Sequence, residues 1–243
     1  MSKKLRIGGA SGFWGDSVIA TPQLLNGNDL DFIVYDYLAE ITMSIMARAR
    51  AKDATKGYAV DFVSSVLKLN LRQIADQKVK ILSNAGGVNP EACAEAIREL
   101  IKELKLDLKV SVVLGDDLMT EKNKFSELNT KEMYSNEDFP AEDKIASINA
   151  YLGAFPIAEA LKSGADIVIT GRSVDSAVTL GACIYSFGWN EKEYDKLAAG
   201  SLAGHIIECG TQSTGGNFTD WELVSKDLHQ IGYPIVEVSE DGS

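Results

Sequence analysis

The sequence predicts an α/β fold: a mostly parallel sheet with helices on both faces, in a three-layer, Rossmann-like arrangement. Short apolar runs rich in β-branched residues alternate along the chain with amphipathic helical patterns, which is the order of a layered α/β protein. Unbroken runs such as IVIT indicate strands covered on both faces, as in parallel sheets. A TIM-like barrel is the alternative, because six strand–helix units can be counted and a barrel repeats that unit.

Six strands are predicted, each followed by a loop of glycine, asparagine or acidic residues. The predicted strands are residues 5–9, 31–36, 79–84, 109–117, 166–171 and 205–209. The final residues, GYPIVEVSEDGS, predict a further strand that enters a turn.

Helical patterns separate these strands. The clearest is NPEACAEAIRELIKEL, where apolar residues recur every three or four positions. Asn89 is its predicted N-cap, and Pro90 fits the first helical position. A second helix is predicted for residues 37–51, with a buried stripe of Leu38, Ile41, Ile45 and Ala49. The remaining predictions are helices at 57–77, at 141–153 and from Pro156, and a candidate lid or excursion loop in the aperiodic stretch 120–143.

Length and composition limit the class of protein. The chain has 243 residues, 45% hydrophobic and 24% charged, and is predicted to form a single α/β domain over residues 1–243. Its apolar runs fall far short of the roughly 20 residues of a membrane-spanning helix, and its N-terminus lacks the apolar core of a signal peptide. Three widely separated cysteines suit reduced thiols. We therefore predict a cytoplasmic protein.

The charge of the chain restricts its partners. A formal net charge of −11 argues against nucleic acid, because counterion release requires a basic patch. The predicted partners are a small-molecule substrate and either further copies of the chain or a partner subunit, with no membrane. No cofactor is assigned.

The opening stretch IGGASGFWGDS raises the possibility of a phosphate-binding loop. Gly9, Gly12 and Gly15 form G-x-x-G-x-x-G after a predicted strand, and Asp36 lies 21 residues beyond Gly15, near where a dinucleotide-binding fold places a ribose-binding acid. Pro22 interrupts the helix that should follow, and the chain contains no tyrosine followed four residues later by lysine. A glycine-rich turn that lets strand and helix pack closely is the structural alternative.

Polar and small residues follow several predicted strands. In a parallel α/β sheet the carboxyl ends of the strands lie at one edge, where ligands bind. The predicted catalytic carboxylates are Asp36, Glu40, Asp175 and Glu208. The predicted substrate-binding residues are Gly9, Ser11, Gly12, Asn84, Gly86, Gly87, Asn89, Arg172 and Ser173. The glycine loops and a helix start suit an anionic group, and Arg172 suits clamping it with two parallel bonds.

These residues also have structural interpretations. Asp36 and Asp175 suit the positive ends of helices, and Arg172 suits an ion pair within the fold. On a strand, His205 and Glu208 would point to opposite faces, which disfavours a metal pair.

A cation is a further alternative. Oxygen ligands for a magnesium-like cation are offered by Asp116, Asp117, Asp36 and Glu208. Adjacent acids at strand ends often just face solvent, and no metal ligand is assigned.

Nearly the whole chain is covered, in order, by the stretches RIGGASGFWGDS, LDFIVYDYLAEITMSIMARA, GYAVDFV, ILSNAGGVNPEACAEA, TGRSVDSAVTLGA and LAAGSLAGHIIECGTQSTGGNFTDW. On these stretches the chain resembles the acyclic terpene utilisation family of the AtuA type. The resemblance implies a role in the breakdown of branched terpenoid acids such as citronellate and geranylate, which proceeds through coenzyme A thioesters. Family members tend to continue further, often into a smaller ferredoxin-like domain, so the resemblance implies that this chain is truncated at its C-terminal end.

Residues and resemblance together predict an enzyme or enzyme subunit acting on branched-chain or acyclic terpenoid acids or their acyl-CoA thioesters. Its carboxylates would supply lyase- or hydratase-type proton transfer. The alternative is a non-catalytic binding or assembly subunit of a catabolic complex. An NAD(P)-dependent oxidoreductase is the third hypothesis.

Overall fold

A computed structural model describes residues 4–16, 18–27, 29–128 and 130–243. The strands are β1 (Lys4–Gly9), β2 (Phe32–Tyr35), β3 (Lys80–Ser83), β4 (Val110–Val113), β5 (Ile167–Thr170) and β6 (Ile235–Ser239). They form a six-stranded sheet in the order β4–β5–β3–β2–β1–β6. The first five strands pair in parallel, and β6 runs antiparallel to β1. The predicted α/β class and mostly parallel sheet are thus confirmed. Within the described ranges the sheet is open, with β4 and β6 at its edges, and not the closed barrel of the alternative.

Helices cover both faces of the sheet. They are α1 (Ala20–Leu25), α2 (Glu40–Lys52), α3 (Lys68–Gln77), α4 (Pro90–Leu104), α5 (Lys122–Glu127), α6 (Phe155–Lys162), α7 (Ala177–Phe187) and α8 (Tyr194–Ile207), with a π-helical segment, Phe62–Leu67, leading into α3. Helices α1 to α4 contribute to one apolar cluster, and α6 to α8 contribute to another.

Strand β2 shows how the two clusters are separated. Its four residues are all buried, and successive side chains point to opposite faces of a sheet. Ile33 and Tyr35 belong to the first cluster, whereas Phe32 and Val34 belong to the second. The unbroken apolar run therefore reflects a strand buried on both sides.

The predicted strand at 205–209 is wrong. Residues 205–207 end α8, and residues 208 and 209 form a turn that leads into the 3₁₀ turn Gly210–Thr214. The pair of isoleucines alone suggested a strand, but it continues the stretch LAAGSLAG, whose alanines and leucines favour a helix.

The predicted helix at 141–153 is also wrong. The structure has a 3₁₀ turn, Glu142–Lys144, and then an extended segment. In that segment Asn149 forms a bridge with Asp117, and Leu152 forms one with Ser173. The segment is extended because its backbone pairs with residues that follow β4 and β5.

The buried face of α2 differs from the predicted stripe. Its buried residues are Met43, Met46 and Ala47, whereas Ile41 and Ile45 are 68% and 45% exposed. Leu38 is buried but precedes the helix. Leu38 therefore lies outside the helix, and the helical spacing that predicted the stripe does not apply to it.

None of the helices within the described residues is both long and apolar enough to cross a membrane.

Candidate functional site

The end of β2 places Asp36 beside the end of β3. Tyr35 and Ser83 are paired in the parallel ladder, so Asp36 and Asn84 are adjacent at the carboxyl edge. The amide nitrogen Nδ2 of Asn84 donates a hydrogen bond to Oδ1 of Asp36 at 2.5 Å, and Oδ1 of Asn84 accepts one from the backbone N–H of Tyr37 at 2.8 Å. Asn84 therefore fixes the orientation of the Asp36 carboxylate.

The environment of Asp36 disfavours its charged form. The residue is 7% exposed, and burial raises the pKa of its carboxyl group to about 7, against the hydrogen bond from Asn84, which lowers it. The negative charge of Asp175 raises the pKa further, and the positive charge of Arg172 lowers it. Desolvation therefore dominates at this carboxylate.

Arg172 follows β5 and holds several segments together. Its side chain is 5% exposed. Nη1 donates to the backbone oxygen of Leu38 at 2.6 Å and to Oδ1 of Asp175 at 3.1 Å, and Nη2 donates to the hydroxyl of Tyr151 at 3.0 Å. The guanidinium also lies over the Tyr151 ring, 4.2 Å from its centre. These contacts are made within the protein, as expected for the structural role of an arginine.

Tyr151 connects Arg172 to Glu40. The tyrosine hydroxyl donates to Oε1 of Glu40 at 2.5 Å. This hydrogen bond lowers the pKa of Glu40 and raises that of Tyr151. The Glu40 side chain is 81% exposed, so the pair lies at the solvent side of the arginine.

Close backbone packing brings the end of α8 to the same edge. A Cβ atom at Gly204 would lie 2.8 Å from the Cβ and the backbone oxygen of Ser176. A Cβ atom at Gly9 would collide with the backbone oxygen of Ile207. Glycine at both positions lets α8 end between β1 and the residues before α7. Glu208 is consequently placed near Asp175.

Glu208 is largely buried and half satisfied. Its side chain is 10% exposed, and Oε1 pairs with Nδ1 of His205 at 2.8 Å. The other oxygen, Oε2, is buried without a hydrogen-bond partner among the described residues. Burial, followed by the charge of Asp175, raises the pKa of this carboxyl group. Residues three apart lie on the same face of a helix, so His205 and Glu208 can form this pair at the end of α8. On the predicted strand they would have pointed to opposite faces.

Three of the four predicted catalytic carboxylates converge. One oxygen atom from each of Asp36, Asp175 and Glu208 lies within 4.8 Å of the other two. We call these residues the carboxylate triad. The Asp175 side chain is 48% exposed, so the group adjoins solvent. The fourth, Glu40, is not part of this group and contacts Nη2 of Arg172 at 3.6 Å and the Tyr151 hydroxyl.

The opening glycine loop packs against the end of α8. A Cβ atom at Gly12 would lie 2.8 Å from backbone atoms of Cys209, and its N–H donates to Oδ2 of Asp16 at 2.9 Å. Ser11 is buried, and its hydroxyl donates to the backbone oxygen of Asp36 at 3.1 Å. The loop thus contacts the backbone of Asp36 and the residues around Glu208, and this packing alone requires glycine at positions 9 and 12.

The second predicted substrate loop, AGGVN, is held by protein contacts. A Cβ atom at Gly86 would lie 2.8 Å from Cα of Pro90, and Gly87 has a φ of +55°. Asn89 precedes α4 but does not cap it with its side chain. Its Nδ2 instead donates to the backbone oxygens of Ala54 and Lys56, both at 2.8 Å. Asn89 is thus the N-cap residue of α4, and Pro90 begins the helix, as predicted, but the Asn89 side chain makes no capping hydrogen bond.

Asp116 and Asp117 lie outside the triad. Oδ2 of Asp116 accepts hydrogen bonds from the backbone N–H of Arg172 at 2.8 Å and from Nδ2 of Asn149 at 2.9 Å. Asp117 pairs with Arg50 at 3.4 Å. Both aspartates connect the end of β4 to neighbouring segments.

The remaining predicted substrate-binding residue, Ser173, is fully buried, and its Oγ has no hydrogen-bond partner in the described part of the chain.

Tyr151 is a residue of the site that the sequence does not predict. It lies in the segment wrongly predicted as a helix, and its contact with Arg172 depends on the extended path of that segment.

Cys209 lies beside the triad, where burial and the charge of Glu208 raise the pKa of its thiol. This disfavours a nucleophilic thiolate.

The fold and site define an α/β protein with an acidic group at the carboxyl edge of a parallel sheet. The model of the acyclic terpene utilisation family protein AtuA matches residues 5–243. The chain belongs to this family, whose description implies a role in acyclic terpene utilisation. No curated protein and no solved structure matched the chain.

Proposed function

We propose that the chain is an enzyme, or the subunit of an enzyme, that transfers a proton on branched or acyclic terpenoid acids or their acyl-CoA thioesters. The reaction class is that of a lyase or hydratase. The observation that carries the proposal is the convergence of Asp36, Asp175 and Glu208 within 4.8 Å. Family membership supports the choice of a substrate related to acyclic terpenes.

The triad suits proton transfer next to a carbonyl group. Adding or removing water across a carbon–carbon double bond requires a group that gives or takes a proton at a fixed position, a role that carboxylates fill in many enzymes. Asp36 and Glu208 are largely buried and stand at the ends of a strand and a helix. Asp175 is half exposed and leaves an approach for substrate.

Arg172 is the residue that we predict to bind the anionic part of the substrate. Its guanidinium contacts Asp175 and Tyr151, and both partners are about half exposed. A substrate carboxylate or phosphate would therefore replace one of them on the guanidinium. This exchange would couple substrate binding to the position of Asp175 in the triad.

Hydrogen exchange tests the proposal directly. The protein is incubated in D₂O with citronellate, geranylate and their CoA thioesters, and deuterium at the carbons near the carbonyl is followed by mass spectrometry. We expect incorporation with the wild type and a loss of at least about 100-fold in Glu208→Gln, the lower end of what a general acid–base group contributes. Glu159→Gln, which loses an exposed pair with Lys162, is the control.

Binding measurements separate the alternatives. Calorimetric binding of a thioester without exchange in any condition would contradict the catalytic proposal and favour a non-catalytic subunit. Binding of NAD(P) alone would favour the oxidoreductase hypothesis.

A further inference from the structure

We propose that the carboxylate triad of Asp36, Asp175 and Glu208 binds a hard divalent cation of the Mg²⁺, Mn²⁺ or Ca²⁺ class. The inference deepens the proposed function, because the cation would occupy the same site and contact the same substrate. It is argued from the geometry, burial and charge of the three carboxylates.

The ligand set suits such a cation. The triad offers oxygen atoms alone, which hard cations prefer to nitrogen or sulfur. If the three oxygens stood 4.8 Å apart, the limit that they satisfy, a central ion would lie about 2.8 Å from each. Typical distances are about 2.3–2.6 Å for Ca²⁺ and about 2.0–2.1 Å for Mg²⁺. Side-chain adjustments of less than about 1 Å therefore complete the coordination.

An unsatisfied atom points to a ligand. Glu208 is nine-tenths buried, and its Oε1 is occupied by His205. Its Oε2 has no hydrogen-bond partner in the described residues although it is shielded from water. A buried carboxylate oxygen without a partner is costly. The nearest carboxylates, Asp36 and Asp175, cannot donate to it when ionised, whereas a cation would satisfy all three.

The local charge supports the same conclusion. The guanidinium of Arg172 contacts Asp175 at 3.1 Å and provides one positive charge near three carboxylates. Glu40 adds a further negative charge at 3.6 Å from the guanidinium. An anionic acid or acyl-CoA would approach this site against a net negative potential. A divalent cation would offset most of that negative charge and give a substrate oxygen a ligand position.

The test measures metal binding without substrate. The full chain is treated with chelator, and Mn²⁺ is titrated by calorimetry and by the electron paramagnetic resonance signal of free Mn²⁺, with Mg²⁺ and Ca²⁺ as competitors. We expect one saturable site per chain that is weakened by at least about tenfold in Glu208→Gln, since the loss of even an outer-shell partner costs about 10- to 100-fold. Asp175→Asn, at a half-exposed position, should have the same effect and guards against a folding defect in Glu208→Gln.

Asp117→Asn is the matched control. It removes a carboxylate near the same edge of the sheet but outside the triad, and Mn²⁺ affinity should change by less than about twofold. Absence of saturable binding, or equal affinity in wild type and Glu208→Gln, would overturn the inference. If Mn²⁺ does not bind but hydrogen exchange on the substrate persists in chelator, the metal inference is wrong and the proposed function stands. If Mn²⁺ binds but the protein neither binds the substrates nor exchanges their hydrogens, the proposed function is wrong and the metal inference stands.

Discussion

Asn84 bridges two neighbouring strand ends, because its side chain donates to Asp36 and accepts from the backbone N–H of Tyr37. Both of its hydrogen bonds are buried. The amide cannot be reversed without losing both bonds, since a carboxylate accepts and a backbone N–H donates. The residue that follows β3 thus orients the catalytic candidate that follows β2.

Asn84→Ala should destabilise the protein by about 1–3 kcal/mol, the cost of leaving a buried polar group unsatisfied. The group left without a partner is the N–H of Tyr37, since Oδ1 of Asp36 keeps a hydrogen bond from the backbone N–H of Leu38 at 3.3 Å. Urea denaturation measures the change in the free energy of unfolding. Asn217→Ala, at an exposed position, should stay within about 0.5 kcal/mol of wild type. Equal effects of the two substitutions would contradict the bridging role.

Asp36 should make the stability of the metal-free protein depend on pH. Its pKa in the folded state is about 7, above the ordinary value near 3.9 of an unfolded chain. Between these values the folded state holds a proton that the unfolded state has lost, so stability falls as pH rises and levels off above about pH 7. The whole loss amounts to at most about 4 kcal/mol.

Urea denaturation in chelator at pH 5, 6, 7 and 8 measures this dependence. Asp36→Asn removes the titration, and wild type should lose stability relative to this variant across that range. Parallel curves would show that the folded environment does not raise the pKa of Asp36. Saturating Mn²⁺ should flatten the wild-type curve if the cation binds the ionised triad.

Gly9→Ala should destabilise the junction between β1 and α8. The added methyl group meets the backbone oxygen of Ile207, and backbone cannot move aside as a flexible side chain can. We expect a loss of about 1–3 kcal/mol, the usual cost of overpacking, measured by thermal denaturation. Gly153→Ala is the control, because nothing lies within 4 Å of its added Cβ. A wild-type melting temperature for Gly9→Ala would mean that the end of α8 is free to move away.

The sequence predicted the parallel sheet because the burial of a strand shows in its local sequence. An unbroken apolar run such as that of β2 indicates a strand that is covered on both faces. It also predicted Asp36 and Asn84 at one edge, because adjacent parallel strands end together. The position of Glu208 depended on how α8 packs. That packing rests on small residues, Gly204 and Gly9, whose partners are distant in sequence, and no local pattern reports such contacts.

Tyr151 was missed for a related reason. Its segment pairs with residues that follow β4 and β5, and such bridges leave no periodicity in the sequence. A single tyrosine in an aperiodic stretch has no feature that marks it as a partner of Arg172. Pairing of functional residues across loops is therefore the part of the site that required the structure.

Arg172→Lys should test whether the guanidinium serves the fold. A lysine carries one compact ammonium group, which cannot reach Leu38, Asp175 and Tyr151 together and loses the planar stacking on the tyrosine ring. We expect a loss of about 1.5–3 kcal/mol, the range for hydrogen bonds to charged groups, in urea denaturation. Arg98→Lys, in an exposed pair with Glu95, should cost less than about 1 kcal/mol.

Calorimetry with acyl-CoA on the same Arg172→Lys variant separates two roles of this residue. If Arg172 only supports Asp175 and Tyr151, stability falls and any loss of affinity is regained in conditions that restore the fold, such as a stabilising osmolyte. If Arg172 also binds the anionic group, affinity stays weak in the restored protein, because a lysine cannot form the two parallel bonds of a guanidinium to a carboxylate or phosphate. If the variant keeps wild-type stability but loses affinity, Arg172 serves mainly to bind substrate. Its contacts to Leu38 and Asp175 would then contribute little to the stability of the fold.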